Sequence, residues 1–288
     1  MRYVAPAPYG VEAMTLAQLR EMAPPGYLTA PQRPAFHLLI LGSCGQATHT
    51  VDFREYPIGR GCGVWVRPGQ VQRFSSDDEK LSADLVLFQP DFLIPGTEAA
   101  AIADDRFGPV NYDCSHSTRD HLDQARSTLR EGYAEALQTA RPGDAMQTEM
   151  LRHLLSVLIL RLTAAPAPRT NGSHHGADGL HGRFRDLLER DFAVAHDVEH
   201  YARVLGYSSR TLSRATQTAV DQTPKQMIQE RIALEAARLL AHSSLAVAPI
   251  AAGLGFRDPS NFSTFFTRQT GIAPTKFRRQ QQQSATEP

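Results

Sequence analysis

Residues Val247–Phe277 read VAPIAAGLGFRDPSNFSTFFTRQTGIAPTKF, and the spacing within this stretch decides the fold of the C-terminal half. Val247, Ile250, Ala251 and Leu254 recur at helical spacing, with small alanines that let a second helix approach closely. Gly255 breaks the pattern. Asp258 is placed to cap the next helix with its carboxylate, and Pro259 falls at the first helical position, where a missing N–H costs nothing. That helix runs to about Thr270, burying Phe262 and Phe266 and turning Ser260, Asn261, Ser263, Thr264, Thr267 and Arg268 outward, until Gly271 stops it and Pro274 opens the next turn. Helix, tight turn and polar-faced helix make a helix-turn-helix. Helical hairpins also occur that bind nothing, so topology alone does not fix a function.

The same logic recurs upstream. Leu205-Gly206-Tyr207 parallels Leu254-Gly255-Phe256, Ser208 is the cap, and the following helix turns Arg210, Ser213 and Arg214 outward while Leu212 faces in. Between the two units, Lys225–Ala241 forms one long helix with Arg231 and Arg238 on one side. A helix of this length can hold two recognition helices about 34 Å apart, one turn of B-DNA.

The segment GLGFRDPSNFSTFFTRQTGIAPTKFR resembles the C-terminal signature of the AraC/XylS family of transcription regulators across nearly its whole length. In that signature an Ala-rich helix and a GF turn lead into a Phe-centred helix, then G-x-x-P and an aromatic-Arg end. The resemblance implies double-stranded DNA as a partner, a small-molecule effector, homodimerisation, and RNA polymerase as a further partner. Three positions depart from the family: Thr216 stands near its aromatic, Asp221 near its Gly and Thr264 near its Arg. Thr216 implies a less tightly packed first unit, whereas Asp221 implies a left-handed residue held at some cost. Thr264 offers a hydroxyl or methyl where Arg would offer a bidentate contact to guanine, so the first unit is expected to discriminate bases more strongly.

At 288 residues the chain suits two domains of ordinary size. The net charge is zero, yet residues 181–288 hold 14 Lys and Arg against 10 Asp and Glu, while residues 1–180 hold 16 against 20. The basic half is the one with the helix-turn-helix units, and its excess is modest, so attraction to phosphates must come from clustering. Cys44, Cys62 and Cys114 are odd in number and lack C-x-x-C spacing, which argues against a disulfide framework or zinc ribbon and for the reducing cytoplasm. Neither a signal peptide nor a membrane span is expected.

Residues 1–30, rich in Pro and Gly, read as an arm with one short helix at Thr15–Met22. From Ala35 to about Asp91 the period becomes two: FHLLILGSCG, THTVDFREYPIG, CGVWVRPGQVQRF and LSADLVLFQPDF are short strands parted by Gly, Pro and Asp turns, as in an antiparallel sandwich or small barrel. The family places a cupin-like, effector-binding barrel here, and GCGVWVRPGQVQRF resembles its strand, Pro-Gly turn and strand. Metal-binding cupins use a His-x-His pair, a Glu and a later His; here His37 and His49 are isolated and Gln72 stands at the later position, so no metal and no cofactor are expected. His37, Trp65, Gln72 and Phe74 are the candidates to line an organic effector, with alternation placing His37 opposite Phe36 and Leu38.

DCSHSTRDH at 113–121 gathers Asp113, Cys114, Ser115, His116 and His121, but groups adjacent in sequence seldom form a catalytic constellation, and a loop entering a helix is the plainer reading. Helices follow from about Thr118 to Thr139 and, capped by Asp144, to Leu162, the second with a stripe of Leu151, Leu154 or Leu155, Leu158 and Leu162. The family commonly dimerises through such a pair, so the stripe serves as core, interface or both. Thr163–Gly179, which includes His174-His175, has linker composition.

The reading is an α+β chain. Residues 1–162 form a cupin-like antiparallel β-barrel with a helical pair, 163–179 a linker, and 180–288 an all-α domain with two helix-turn-helix units. It is a non-enzymatic DNA-binding regulator; the alternatives are a barrel enzyme fused to a helical module, or a regulator whose N-terminal domain senses a protein partner.

Overall fold

The computed structural model describes residues 9–75, 80–113, 119–139, 144–164 and 179–283. The chain divides into two compact units between Pro168 and Arg169.

The first unit is built on two antiparallel sheets. One has the order β1 (Val11–Thr15), β7 (Ser82–Phe88), β2 (His37–Cys44), β5 (Cys62–Val66), β8 (Asn111–Asp113); the other has the order β4 (Arg54–Gly59), β3 (Gln46–Val51), β6 (Gln72–Phe74). Period-two alternation sorts the side chains between two cores. Leu38, Ile40, Val64, Val66, Leu85 and Leu87 pack inward against Val51, Ile58 and Phe74 of the second sheet. Leu39, Leu41, Trp65, Val86 and Phe88 point the other way, onto α2 (Glu98–Asp104), α3 (Arg119–Thr139) and α4 (Ala145–Thr163). Both faces of β2 are therefore dry, which is why its sequence is a continuous apolar run rather than an alternating one. The sheets meet at a corner where β2 passes β4. Gly42 has no room for a Cβ there, because the carbonyl of Gly59 occupies the space.

The Leu stripe on α4 is core: Leu151, Leu155, Leu158 and Leu162 are fully buried against α3 and the sheet, while Leu154 is half-buried. Asp144 caps α4 through the amides of Met146 and Gln147. Asp84 of β7 takes Arg126 Nε at 3.0 Å and Arg130 Nη1 at 2.8 Å, tying α3 to the sheet.

The N-terminal residues depart from the expected arm. β1 pairs with β7 along its whole length, Tyr9 is buried with its hydroxyl donating to the Ala136 carbonyl, and Thr15 and Gln18 form a reciprocal capping box at the start of α1 (Leu16–Met22). Five residues paired to a neighbouring strand, with Val11 and Met14 buried, suffice to hold a segment whose composition reads as loose. Helix α2 and strand β8 are further elements that the periodicity did not reveal, being only seven and three residues long. Tyr3, Cys114, Ser115, His116 and His174-His175 lie outside the described residues. Among those described, no group of three or more His, Cys, Asp or Glu could hold a metal ion, and no helix is long and apolar enough to cross a membrane.

The second unit is all helix: α5 (Leu180–Asp191), α6 (Val198–Leu205), α7 (Ser209–Val220), α8 (Pro224–His242), α9 (Val247–Gly253), α10 (Pro259–Thr270) and α11 (Pro274–Gln283). Phe184, Leu188, Tyr201, Leu212, Ile228 and Ile232 form the core of its first half. In the second half Phe256, Phe262, Phe266 and Phe277 stack in sequence at centroid separations of 5.4, 6.0 and 5.5 Å, a range suited to edge-to-face and tilted pairs.

Candidate nucleic-acid interface

Helices α7 and α10 are built alike. The Ser208 hydroxyl accepts from the Thr211 amide, and the Asp258 carboxylate accepts from the Ser260 amide at 2.7 Å. Four and eight residues beyond each cap stand the fully buried Leu212 and Thr216, or Phe262 and Phe266, which fix the rotation of each helix about its axis. Each is preceded by a left-handed glycine, Gly206 at φ 77° and Gly255 at φ 80°, and followed by a left-handed residue, Asp221 at φ 54° and Gly271 at φ 79°. Asp221 is thus the left-handed residue its position demands: its backbone N–H donates to the Gln217 carbonyl, and its carboxylate accepts from the Gln217 side-chain amide. Thr216, where the family has an aromatic, is fully buried and donates to the Ser213 carbonyl at 3.2 Å.

The outward side chains fall into two groups. Arg210 and Arg214 on α7, and Ser260, Asn261, Thr264 and Arg268 on α10, are exposed, and no protein hydrogen bond or ion pair engages their side chains among the described residues. The hydroxyls of Ser213, Ser263 and Thr267 instead donate to the carbonyls of Ser209, Pro259 and Ser263 at 2.8, 2.8 and 2.7 Å, leaving their lone pairs outward. Ser208 is engaged as a cap. Thr218, also exposed, was not singled out from sequence; it occupies on α7 the position that Arg268 has on α10, and aligning the two caps would have found it.

Helix α8 spaces the units. Its 19 residues make it about 28 Å long at ~1.5 Å per residue. Arg231 and Arg238 are structural here: Arg231 Nε donates to Glu189 at 2.6 Å, Nη1 lies 3.2 Å from Glu235, and the guanidinium sits 3.8 Å over the Phe192 ring. Arg238 Nη1 lies 3.5 Å from the same Glu235.

The four effector candidates fall on different faces of the first unit. His37 and Trp65 face the helices outside the barrel: Trp65 Nε1 donates to His37 Nδ1 at 3.2 Å, and the imidazole stacks on Phe88 at 4.5 Å. Gln72 and Phe74 stand on the three-stranded sheet, where Phe74 belongs to the interior core. This is the alternation expected for His37, and it puts His37 and Trp65 on the face of the sheet that meets the helices. A further buried polar side chain is His49, on β3 beside Phe74. It is fully buried and its ring meets Phe74 edge-on at 4.6 Å; neither ring nitrogen nor Gln72 Oε1 makes a hydrogen bond of good geometry, although His49 and Gln72 lie close enough for a weak one between them. Burial pushes the His49 imidazole down to about 3, with Gln72 opposing more weakly; burial and then the Arg67 charge push His37 down to about 3 as well. Both rings are neutral at physiological pH. An isolated His in THTV carries no sequence signal for this, because orphaned nitrogens are a property of packing alone.

Residues 19–164 match the model of the AraC-like ligand binding domain, and residues 201–280 that of a helix-turn-helix domain. The chain is 24% identical over 250 residues to the HTH-type transcriptional activator RhaR of Enterobacter sp. (strain 638), covering 86% of each. It is 34% identical over 142 residues to that of Cronobacter sakazakii (strain ATCC BAA-894), covering 48% of this chain and 50% of the relative. Among solved structures it is similar to ToxT from Vibrio cholerae, with TM-score 0.47 and 11% identity over 94% of this chain and 98% of that one. The chain belongs to the AraC family, as a transcription regulator with an N-terminal ligand-binding domain and a C-terminal helix-turn-helix DNA-binding domain.

Proposed function

We propose that this regulator works as a homodimer on paired sites in double-stranded DNA, without enzymatic activity, and that the dimer forms through the outer face of α4. The observation that carries the reading is a second apolar stripe on that helix. Met146, Met150, Leu154 and Val157 follow one another at helical spacing, with Leu160 one turn further; Met146 is 81% exposed, Val157 47% and Leu160 41%. Met150 and Leu154 between them are half-buried, and exposed apolar side chains flanking such a line are costly in water and typical of an interface. Leu154 and Val157 also floor a cleft of about 200 Å³ against His121, Ala125 and Thr128 of α3, which a side chain from a second copy would fill.

The effector is a small molecule that reaches the barrel interior, where His49 and Gln72 offer one donor and two acceptors without charge, suited to a neutral hydrogen-bonding compound. RNA polymerase is the partner through which such a regulator acts, and the cytoplasm is where it meets DNA. Sedimentation of the full chain tests the dimer. Val157→Arg should convert it to monomer while leaving the circular dichroism spectrum unchanged, and should weaken binding to paired sites more than to a single site. A dimer that survives the substitution refutes the α4 interface. Binding to genomic fragments, starting with the promoter beside its own gene, tests the DNA reading.

A further inference from the structure

The two recognition helices present different chemistry at equivalent positions. Counting from the caps Ser208 and Asp258, the second, third and sixth residues are Arg210, Thr211 and Arg214 on α7 but Ser260, Asn261 and Thr264 on α10. In a helix-turn-helix these N-terminal positions reach base edges. The Thr211 hydroxyl is held by Ser208 at 2.9 Å, which leaves Arg210 and Arg214 as the free groups on α7. On α10 Ser260, Asn261 and Thr264 are free and uncharged, and Arg268 stands ten residues past the cap, where the helix is leaving the groove.

We propose that the target of one protomer is bipartite: a guanine-bearing segment read by Arg210 and Arg214, and an A·T segment about one helical turn away read by Asn261 and Thr264. This rests on the DNA-binding reading of the two helices. Guanine shows two acceptors, O6 and N7, in the major groove, which a guanidinium meets with two donors. Adenine shows a donor and an acceptor, N6 and N7, which a carboxamide matches in both senses, and the thymine methyl suits the Thr264 methyl. The caps reinforce the division. Asp258 sets a carboxylate at the entrance of α10, where it repels the two acceptors of guanine but tolerates the N6 donor of adenine, whereas Ser208 sets a neutral hydroxyl at the entrance of α7. Arg268 then serves the phosphate backbone and carries no base preference.

The test is selection from random duplexes by the full-length chain at one fixed salt concentration, repeated with Arg210→Ala, Arg214→Ala and Asn261→Ala. The wild-type chain should enrich a site with guanines in one segment and A·T pairs in the other. Each Arg→Ala variant should relax a guanine position; Asn261→Ala should relax one adenine position and bind the selected site about 5- to 150-fold more weakly. Enriched sites that lack this division, or keep the guanine preference in both Arg→Ala variants, overturn the inference while leaving DNA binding intact. Failure to enrich any sequence overturns the inference together with the DNA-binding reading.

Discussion

Two buried neutral histidines make the barrel unit acid-sensitive, and His49→Leu isolates the share of one of them. Both imidazoles have their folded values pushed down to about 3 from an ordinary 6.5, by burial first. A base whose folded pKa is depressed leaves stability intact above the unfolded value. As pH falls through 6.5 the unfolded chain takes up a proton that the folded chain refuses, and stability is lost down to the folded value. Between pH 7.5 and 5.5 each histidine costs about 1.4 kcal/mol on this basis, and the pair about 2.7. Leu has no titrating group, so His49→Leu should halve the pair's contribution to the slope. At pH 7.5 the same substitution removes two orphaned nitrogens and keeps an apolar side chain of similar size against Phe74, so it should stabilise by about 1 kcal/mol. His37→Leu should change the slope equally but destabilise at pH 7.5, because it strips the Trp65 N–H of its acceptor. Trp65, the single tryptophan of the chain and fully buried in this unit, reports urea unfolding of the barrel by fluorescence. A pH slope unaltered in His49→Leu refutes the argument.

Gly206→Ala and Gly255→Ala alter the same position in the two helix-turn-helix units and should differ in size. Open space surrounds Gly206, so Ala costs only the left-handed backbone, about 1 kcal/mol; at Gly255 a Cβ would stand 2.5 Å from the Ala193 carbonyl oxygen, and the loss measured by circular dichroism melts should be at least twice as large. Deleting residues 1–14 removes most of β1 and the Tyr9 hydroxyl bond, so it should lower the urea midpoint reported by Trp65; an unchanged midpoint would show that the strand contributes nothing. Arg231→Ala removes the guanidinium that lies against both Glu189 and Glu235 and should cost about 2–4 kcal/mol in melts of the full chain, whereas a phosphate-contacting arginine would leave the melt unchanged.

The helix-turn-helix units were legible in detail because their determinants are local. A cap, a proline at the first helical position, two buried residues four apart and a left-handed stop all lie within fourteen residues, so Asp258 to Gly271 can be read without knowing what packs on them. The strands of the barrel were legible for the same reason. β1 was not: Val11–Thr15 becomes a strand through its partner β7, some seventy residues away, and its own composition points to a loop. Arg231 and Arg238 show the opposite limit. Their seven-residue spacing places them on one side of a helix, but only the tertiary fold brings Glu189 to that side and joins them in a buried ion network.

The effector half of the function was the least legible, and alternation explains why. In a strand buried on both faces, period two states which residues share a face but not which face meets the second sheet and which the helices. His37 and Trp65 satisfy every local criterion for a ligand-lining pair, aromatic, polar-tipped and on neighbouring strands, yet the helical layer claims that face of the sheet and their polar atoms satisfy each other. His49 meets no sequence criterion, and its distinction is that burial leaves its polar atoms without partners. A folded chain tolerates such groups only where other packing offsets their cost or a bound molecule completes them. The two cases respond oppositely to ligand: a completed site gains stability on binding in proportion to occupancy, and His49→Leu abolishes that gain while leaving DNA affinity untouched.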